Sequence, residues 1–98
     1  MVQKTDRLES AIQTDGIKWL QTRKNSVTYK HPPSPTGIPD VHHCEAGISI
    51  WFEFKRTKRH KPSKLQKRIH KRLRKAGHIV VVVWKLSQVK KAIRLNIK

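Results

Sequence analysis

Apolar residues recur along the chain at spacings that alternate between those of helices and those of strands. A first helix is predicted from about Thr5 to Gln21, and Asp6 with Glu9 three positions later is typical of a capping box at its start. The apolar positions of this helix are Leu8, Ile12, Trp19 and Leu20.

Two stretches rich in β-branched and aromatic residues follow. The alternating sequence SVTYK predicts a short strand, and the prolines of HPPSPTG then predict an extended, irregular loop. From Ile38 to Lys55 the pattern predicts two antiparallel strands, with a turn near Glu45 to Gly47 where the glycine can take a positive φ.

The second half of the chain predicts two helices separated by a strand. Ser63 is expected to cap the first helix and Gly77 to end it, while Ser87 is expected to cap the second. Between them, HIVVVVW is apolar on both faces, which predicts a strand buried in the centre of the sheet. The apolar positions are Leu65, Ile69, Leu73 and Ala76 in one helix, and Val89, Ala92 and Ile93 in the other.

The predicted elements follow the order αβββαβα. A strand, helix, strand unit normally makes a right-handed crossover between parallel strands, and here it continues from an antiparallel hairpin. The fold class is therefore α/β, with helices on a small mixed sheet. Because 98 residues suffice for one domain with a small core, residues 1–98 are predicted to form a single domain.

The net charge of the chain indicates which class of molecule it binds. The chain has 23 Lys and Arg against six Asp and Glu, a formal net charge of +17, which favours binding to a polyanion such as nucleic acid. No apolar run of membrane-spanning length and no signal-peptide core is visible, so no membrane and a cytoplasmic location are expected. Cys44 is the only cysteine, which fits a reducing compartment.

Twelve of the 23 basic residues fall between Lys55 and Lys75, and this segment contains no acid. A solvated helix face is the ordinary explanation of such a run, but a solvated face normally mixes charges of both signs. Contact with phosphates is the better interpretation, and such contacts position a nucleic acid without reading its bases. The candidate DNA-binding residues are Arg56, Lys58, Arg59 and Lys61 in the loop, and Lys67 and Lys71 on the helix.

The predicted hairpin contains three of the six acids. It places Asp40 alongside Glu53, and Lys55 projects from the same strand face as Glu53. Two close carboxylates repel each other unless a cation separates them, so a divalent ion with oxygen ligands, Mg²⁺ or Mn²⁺, is predicted, with the Phe54 carbonyl as a further ligand. Lys55 can orient an attacking water and balance charge on a phosphate, which suits phosphodiester hydrolysis.

The sequence at this hairpin resembles a known signature. Pro39 and Asp40, twelve further residues, and then Glu53 to Lys55 resemble the PD-(D/E)XK nuclease motif. The stretches GIPD, WFEFKR and KLQKRIHKRLRKAGHIVVVV resemble, more narrowly, the virus-type replication-repair nuclease family, VRR-NUC, over essentially the whole chain. The residues that match the family pattern are Gly37, Asp40, Glu53, Lys55 and Gln66.

The resemblance implies a restriction-endonuclease-like core and a phage or bacterial endonuclease that uses one or two metal ions and no small-molecule cofactor. It also implies a homodimer that acts on branched DNA such as four-way junctions, and a first-helix glutamate that completes the site. Glu9 is the only candidate, directly or through water; helical geometry places it within the apolar face, and a capping role alone stays open. Gln66 is expected near Lys55 or the bound phosphate, or else is an ordinary boundary residue.

Several alternatives remain. The same site would serve a flap or single-strand nuclease, and a non-catalytic basic binder would use its carboxylates only in salt bridges. His70 could contact DNA, although a solvated helix histidine is the simpler interpretation. Trp51 shares the face of Glu53 and is either core beneath the site or a dimer contact. Zinc at His42 to Cys44 is disfavoured, because adjacent strand residues point to opposite faces and no paired-ligand spacing appears.

Overall fold

The strands form one four-stranded mixed sheet. A computed structural model describes residues 8–33 and 36–98, and the strand order is β1-β2-β3-β4, with β1–β2 and β2–β3 antiparallel and β3–β4 parallel. The predicted αβββαβα order and the mixed sheet are confirmed. The elements are α1 (Glu9–Gln21), β1 (Ser26–Lys30), β2 (Val41–Glu45), β3 (Ile48–Phe54), α2 (Lys64–Lys75), β4 (Ile79–Val83) and α3 (Leu86–Asn96).

The β2–β3 hairpin closes through a two-residue turn. Ala46 has φ 52° and Gly47 has φ 76°, and positive values at both positions match the twist of the flanking strands. The turn sets a register in which Val41 lies opposite Phe52. The predicted strand start at Ile38 is early, because Pro39 has no N–H to donate to a ladder.

One face of the sheet carries the hydrophobic core. Ile50, Phe52 and Phe54 are completely buried there and pack against α1 and α3. Burying a side chain of this size contributes about 1.5–3 kcal/mol. The predicted apolar face of α3 is confirmed, because its three residues Val89, Ala92 and Ile93 are all buried in this cluster.

Helix α2 lies on the opposite face. Its predicted start is confirmed by a complete capping box between Ser63 and Gln66, and it ends before Gly77, which has φ 95°. The predicted burial of its apolar stripe is wrong in extent: Leu65 is 41% exposed, and His70 is the helix's only buried residue. The physical reason is that α1 and α3 both cover the other face, so within the described residues no second helix packs beside α2.

Two helix starts differ from expectation. Helix α1 begins at Glu9, and its N-cap Leu8 makes no side-chain capping bond; the predicted start at Thr5 and the capping residue Asp6 lie outside the described residues. Ser87 does not cap α3, because the N-cap is Lys85 and Ser87 lies within the helix. The Gln88 side chain instead accepts the Trp84 backbone N–H at 2.7 Å. No helix in the described part of the chain is long and apolar enough to cross a membrane.

Strand β4 is an edge strand, so its predicted central position is wrong. It pairs with β3 alone among the described strands, and the guanidinium of Arg74 donates to the Val80 carbonyl at 2.9 Å. A groove of about 290 Å³ between β4 and α3 is lined partly by Val81 and Val82. The strand is apolar on both faces because α2 covers one face and α3 covers the other. A strand can be covered on both faces in this way without having a neighbouring strand at each edge.

Gly16 allows α1 to approach the sheet closely. A Cβ atom at this position would lie 2.8 Å from Cζ of Phe54, whose ring is completely buried. The ring cannot retreat without disturbing the core, so α1 and β3 can pack at this distance only when residue 16 lacks a side chain.

We therefore expect Gly16→Ala to lower the free energy of unfolding by about 1–3 kcal/mol, although alanine is the better helix former. Urea denaturation measures the change. Thr14→Ala is the matched control in the same helix; residue 14 is exposed, and we expect a change within about 0.5 kcal/mol. Equal stability of Gly16→Ala and the wild type would contradict the packing described here.

Candidate active site

The sheet brings Asp40 and Glu53 together where β2 begins and β3 ends. Because Val41 pairs with Phe52, the residue before β2 comes alongside Glu53. The Asp40 carboxylate accepts the backbone N–H of Phe54 at 2.8 Å, and its own carbonyl accepts the N–H of His31 at 2.8 Å. Both the side chain and the backbone of Asp40 are therefore held by neighbouring strands.

Gly37 lets the loop that leads to Asp40 pass close to α2. It has φ +82°, and a Cβ atom there would lie 3.0 Å from the backbone of Leu65. A side chain at this position would be strained both by its own backbone conformation and by this contact. Gly37, the glycine of the predicted motif, therefore allows this loop to pack against α2.

Burial and mutual repulsion control the ionisation of Asp40. Loss of solvent raises its pKa from 3.8 to about 7; the neighbouring Glu53 and, more weakly, Glu9 also raise it, while the Phe54 N–H opposes the change. Glu53 itself is 1% exposed. In the absence of a cation, the two carboxyl groups are therefore accommodated at neutral pH partly by retaining a proton.

The donor set suits a hard divalent cation. Asp40 and Glu53 supply two adjacent carboxylates, and Mg²⁺ is commonly bound by one or two carboxylates while it keeps several waters. Among the residues that the structure describes, no group of three or more His, Cys, Asp or Glu side chains is placed to hold an ion. Waters and backbone oxygens, such as the Phe54 carbonyl, would therefore complete the coordination.

Glu9 lies at the margin of this pair. It is exposed in the first turn of α1, so its predicted burial within the apolar face is wrong. The reason is that the helix begins at this residue, beyond the core that covers Ile12 and Leu20. Its charge nevertheless acts on Asp40, and a contribution to a metal site through water stays a prediction.

Lys55 is oriented by α2. Its ammonium nitrogen lies 3.1 Å from Oε1 of Gln66 and 3.9 Å from Oε2 of Glu53. The same Gln66 oxygen accepts the Ser63 N–H at 2.8 Å. The capping box of α2 therefore fixes the Gln66 amide, and this amide in turn orients the Lys55 ammonium. Gln66 thus lies beside Lys55, as expected; the catalytic role of both residues stays a prediction.

His70 is the residue of the site that sequence reasoning missed. It is 2% exposed, and its Nε2 lies 3.4 Å from Oε1 of Glu53, so its interpretation as a solvated helix histidine is wrong. A signal was present in the sequence. His70 follows Gln66 by one helical turn, so it lies on the side of the helix that carries the glutamine expected near Lys55.

Basic residues continue along the chain from the β3–α2 loop onto α2. The predicted DNA-binding residues are exposed except Arg56, which is half-buried; its Nε is buried without a hydrogen-bond partner among the described residues. Contact with DNA stays a prediction for all six. The exposed residues of the set are Lys58, Arg59, Lys61, Lys67 and Lys71.

Trp51 is buried on the sheet face that carries Glu53, opposite the main hydrophobic core. It is 8% exposed, its ring stacks on His42 with centroids 3.9 Å apart, and its indole N–H donates to Nδ1 of His78 at 2.8 Å. His43 points to the opposite face, where it is completely buried beside Thr28. The adjacent histidines therefore diverge, as strand geometry requires.

A solved structure described as a VRR_NUC domain is similar to this chain. The two are 28% identical with a TM-score of 0.77, and the similarity covers 90% of this chain and 96% of the other. No family model matches the sequence, and no curated protein matches it. The similarity confirms the predicted fold class and the predicted family resemblance over nearly all of the chain.

The raised pKa of Asp40 predicts a pH dependence of stability in the absence of divalent cations. Between about pH 4 and pH 7 the folded protein retains a proton at Asp40 that the unfolded chain has lost, so this group's contribution to the free energy of unfolding falls as pH rises. We expect Asp40→Asn to remove this component. Denaturation with EDTA at several values from about pH 5 to pH 8 measures the change.

Glu45→Gln is the matched control in the same hairpin. Arg23 lowers the pKa of Glu45, so this carboxylate stays ionised throughout that pH range and its removal should leave the slope unchanged. A wild-type slope in Asp40→Asn would show that Asp40 titrates normally.

Proposed function

We propose that this chain, which is similar in fold and sequence to a VRR_NUC domain, is a metal-dependent, structure-specific DNA endonuclease that hydrolyses phosphodiester bonds. The observation that carries the proposal is the pairing of the half-buried Asp40 with the buried Glu53, beside the ammonium of Lys55. A salt-bridging role alone would place each carboxylate against its own cation. Here burial and the second carboxylate together raise the pKa of Asp40.

The protein groups would act as follows. Asp40 and Glu53, with the Phe54 carbonyl and Glu9 through water, would hold Mg²⁺ or Mn²⁺, which when bound supplies Lewis acidity at the scissile phosphate. Lys55 would orient the attacking water and offset the negative charge that develops on the phosphate. Gln66 would keep the lysine ammonium directed toward the carboxylates, since its amide oxygen is itself held by the helix cap.

The basic surface supports DNA as the substrate. Exposed cations on the β3–α2 loop and on α2 begin next to Lys55, so a phosphate backbone bound there would lead into the carboxylate pair. Contacts of this kind recognise the shape of a duplex rather than its sequence. We propose branched DNA, and a four-way junction in particular, as the preferred structure.

The proposed junction substrate also predicts an assembly. Symmetric cutting of a four-way junction requires two active sites related by a two-fold axis, and each chain supplies one carboxylate pair, so we propose a homodimer. Flap or single-strand cleavage would instead need only one site. The products therefore distinguish these alternatives: paired nicks in opposite arms support the junction, and single cuts at a flap support the other reaction.

We expect the wild-type protein with Mg²⁺ or Mn²⁺ to cleave a labelled four-way junction, and Asp40→Ala to reduce the rate by about 10²-fold or more. Junction binding should be retained or strengthened, because the substitution removes a negative group near phosphate. Gel assays of cleavage and binding on junction, flap and linear duplex measure both effects.

The control for this substitution is Glu45→Gln, which removes one negative charge from the same hairpin on the sheet face away from Glu53. We expect it to cleave at the wild-type rate. Equal cleavage by Asp40→Ala and wild type would end the nuclease assignment for this site. Binding without cleavage under any metal would leave a non-catalytic nucleic-acid-binding protein.

The exposed loop cations predict the salt dependence of binding. Replacing both Lys58 and Arg59 by Gln should weaken binding to all DNA structures and reduce the slope of log K against log salt by roughly 2, about 0.9 for each phosphate that is no longer neutralised. Lys24→Gln is the control, because Lys24 is exposed beyond the opposite end of α1 from Glu9. An unchanged slope in the double variant would exclude this loop from the interface.

A further inference from the structure

The inward side of α2 contacts both functional residues of the Glu53 to Lys55 motif. Gln66 reaches Lys55, and His70, one turn later, reaches Glu53. Helix α2 therefore contacts the Glu53 carboxylate as well as the Lys55 ammonium. The roles proposed for Lys55 and Gln66 do not involve the contact between His70 and Glu53.

The two oxygens of Glu53 have different surroundings. Oε1 lies 3.4 Å from Nε2 of His70, whereas Oε2 lies 3.9 Å from the ammonium of Lys55. A carboxylate only accepts hydrogen bonds, so the imidazole must present a protonated Nε2 to Oε1. With Oε1 engaged in this way, rotation of the carboxylate is restricted, and Oε2 is kept on the side of Lys55.

The contact between His70 and Glu53 is shielded from water. His70 and Glu53 are 2% and 1% exposed, so water cannot readily replace the imidazole as a donor to Oε1. A ligand carboxylate that lacks its hydrogen-bond partner samples more orientations and binds an ion less tightly. The cations Lys67, Arg68, Lys71 and Arg72 of α2, by contrast, are exposed.

We propose that His70 is a positioning residue that orients Glu53 for a divalent cation through an Nε2–H to Oε1 hydrogen bond. The proposal rests on the nuclease function proposed above. It assigns no contact with DNA or with the reacting phosphate to His70. Its consequence is that ion affinity depends on a side chain of α2 that is not itself a ligand.

Mn²⁺ affinity, measured by titration calorimetry without DNA, tests the proposal. We expect His70→Leu, which fills the space without a donor, to weaken Mn²⁺ binding by about 10- to 100-fold. His70→Gln places an amide N–H near the position of Nε2 and should restore most of the affinity. His43→Leu is the matched control, because His43 is equally buried but lies on the opposite face of the sheet, and we expect wild-type affinity.

Each outcome decides the proposal. Wild-type affinity in His70→Leu, or equal loss in His70→Gln and His70→Leu, would overturn the hydrogen-bond role while leaving the nuclease proposal intact. No Mn²⁺ binding by the wild-type protein would instead overturn the proposed function, and the role of His70 with it. Loss of affinity in His43→Leu as well would show that destabilisation alone explains the effect.

A measurement on the wild-type protein covers the case in which the His70 variants do not fold. Long-range ¹H–¹⁵N spectra distinguish the two imidazole tautomers, and we expect His70 to carry its proton on Nε2. A proton on Nδ1 alone would overturn the proposal, because Nε2 would then face Glu53 as an acceptor.

Discussion

Two carboxyl groups are held side by side in a place from which water is largely excluded, and the character of the site depends on this enforced proximity. The register of the β2–β3 hairpin sets Asp40 beside Glu53, and the Phe54 N–H anchors Asp40 there. The repulsion is relieved at Asp40 by a raised pKa, and the proposed cation would relieve it by charge compensation instead.

Helix α2 links the carboxylate pair to the basic surface. Its capping box fixes Gln66, which holds Lys55, and His70 contacts Glu53 from the next turn. The outward side of the same helix carries exposed cations, and its apolar stripe is only partly covered. An element with so little buried apolar surface contributes little to the core. We infer that its main contribution is to the geometry of the site.

Much of the fold could be predicted because it depends on local signals. The hairpin turn, the capping box at Ser63 and the apolar spacing of α3 each act within a few residues of chain. The position of β4 could not be predicted in this way. A strand that is apolar on both faces reports that both faces are covered, and here two helices cover an edge strand.

The sequence by itself determined the order of the elements, the strong positive charge and the hairpin that places Asp40 opposite the end of β3, because turn chemistry and residue periodicity are local properties. Only the tertiary structure decided the burial of His70 against Glu53, the exposure of Glu9 and the desolvation that raises the pKa of Asp40. These properties depend on which elements pack across the sheet. That packing involves residues far apart in the chain, and no local pattern encodes the resulting loss of water.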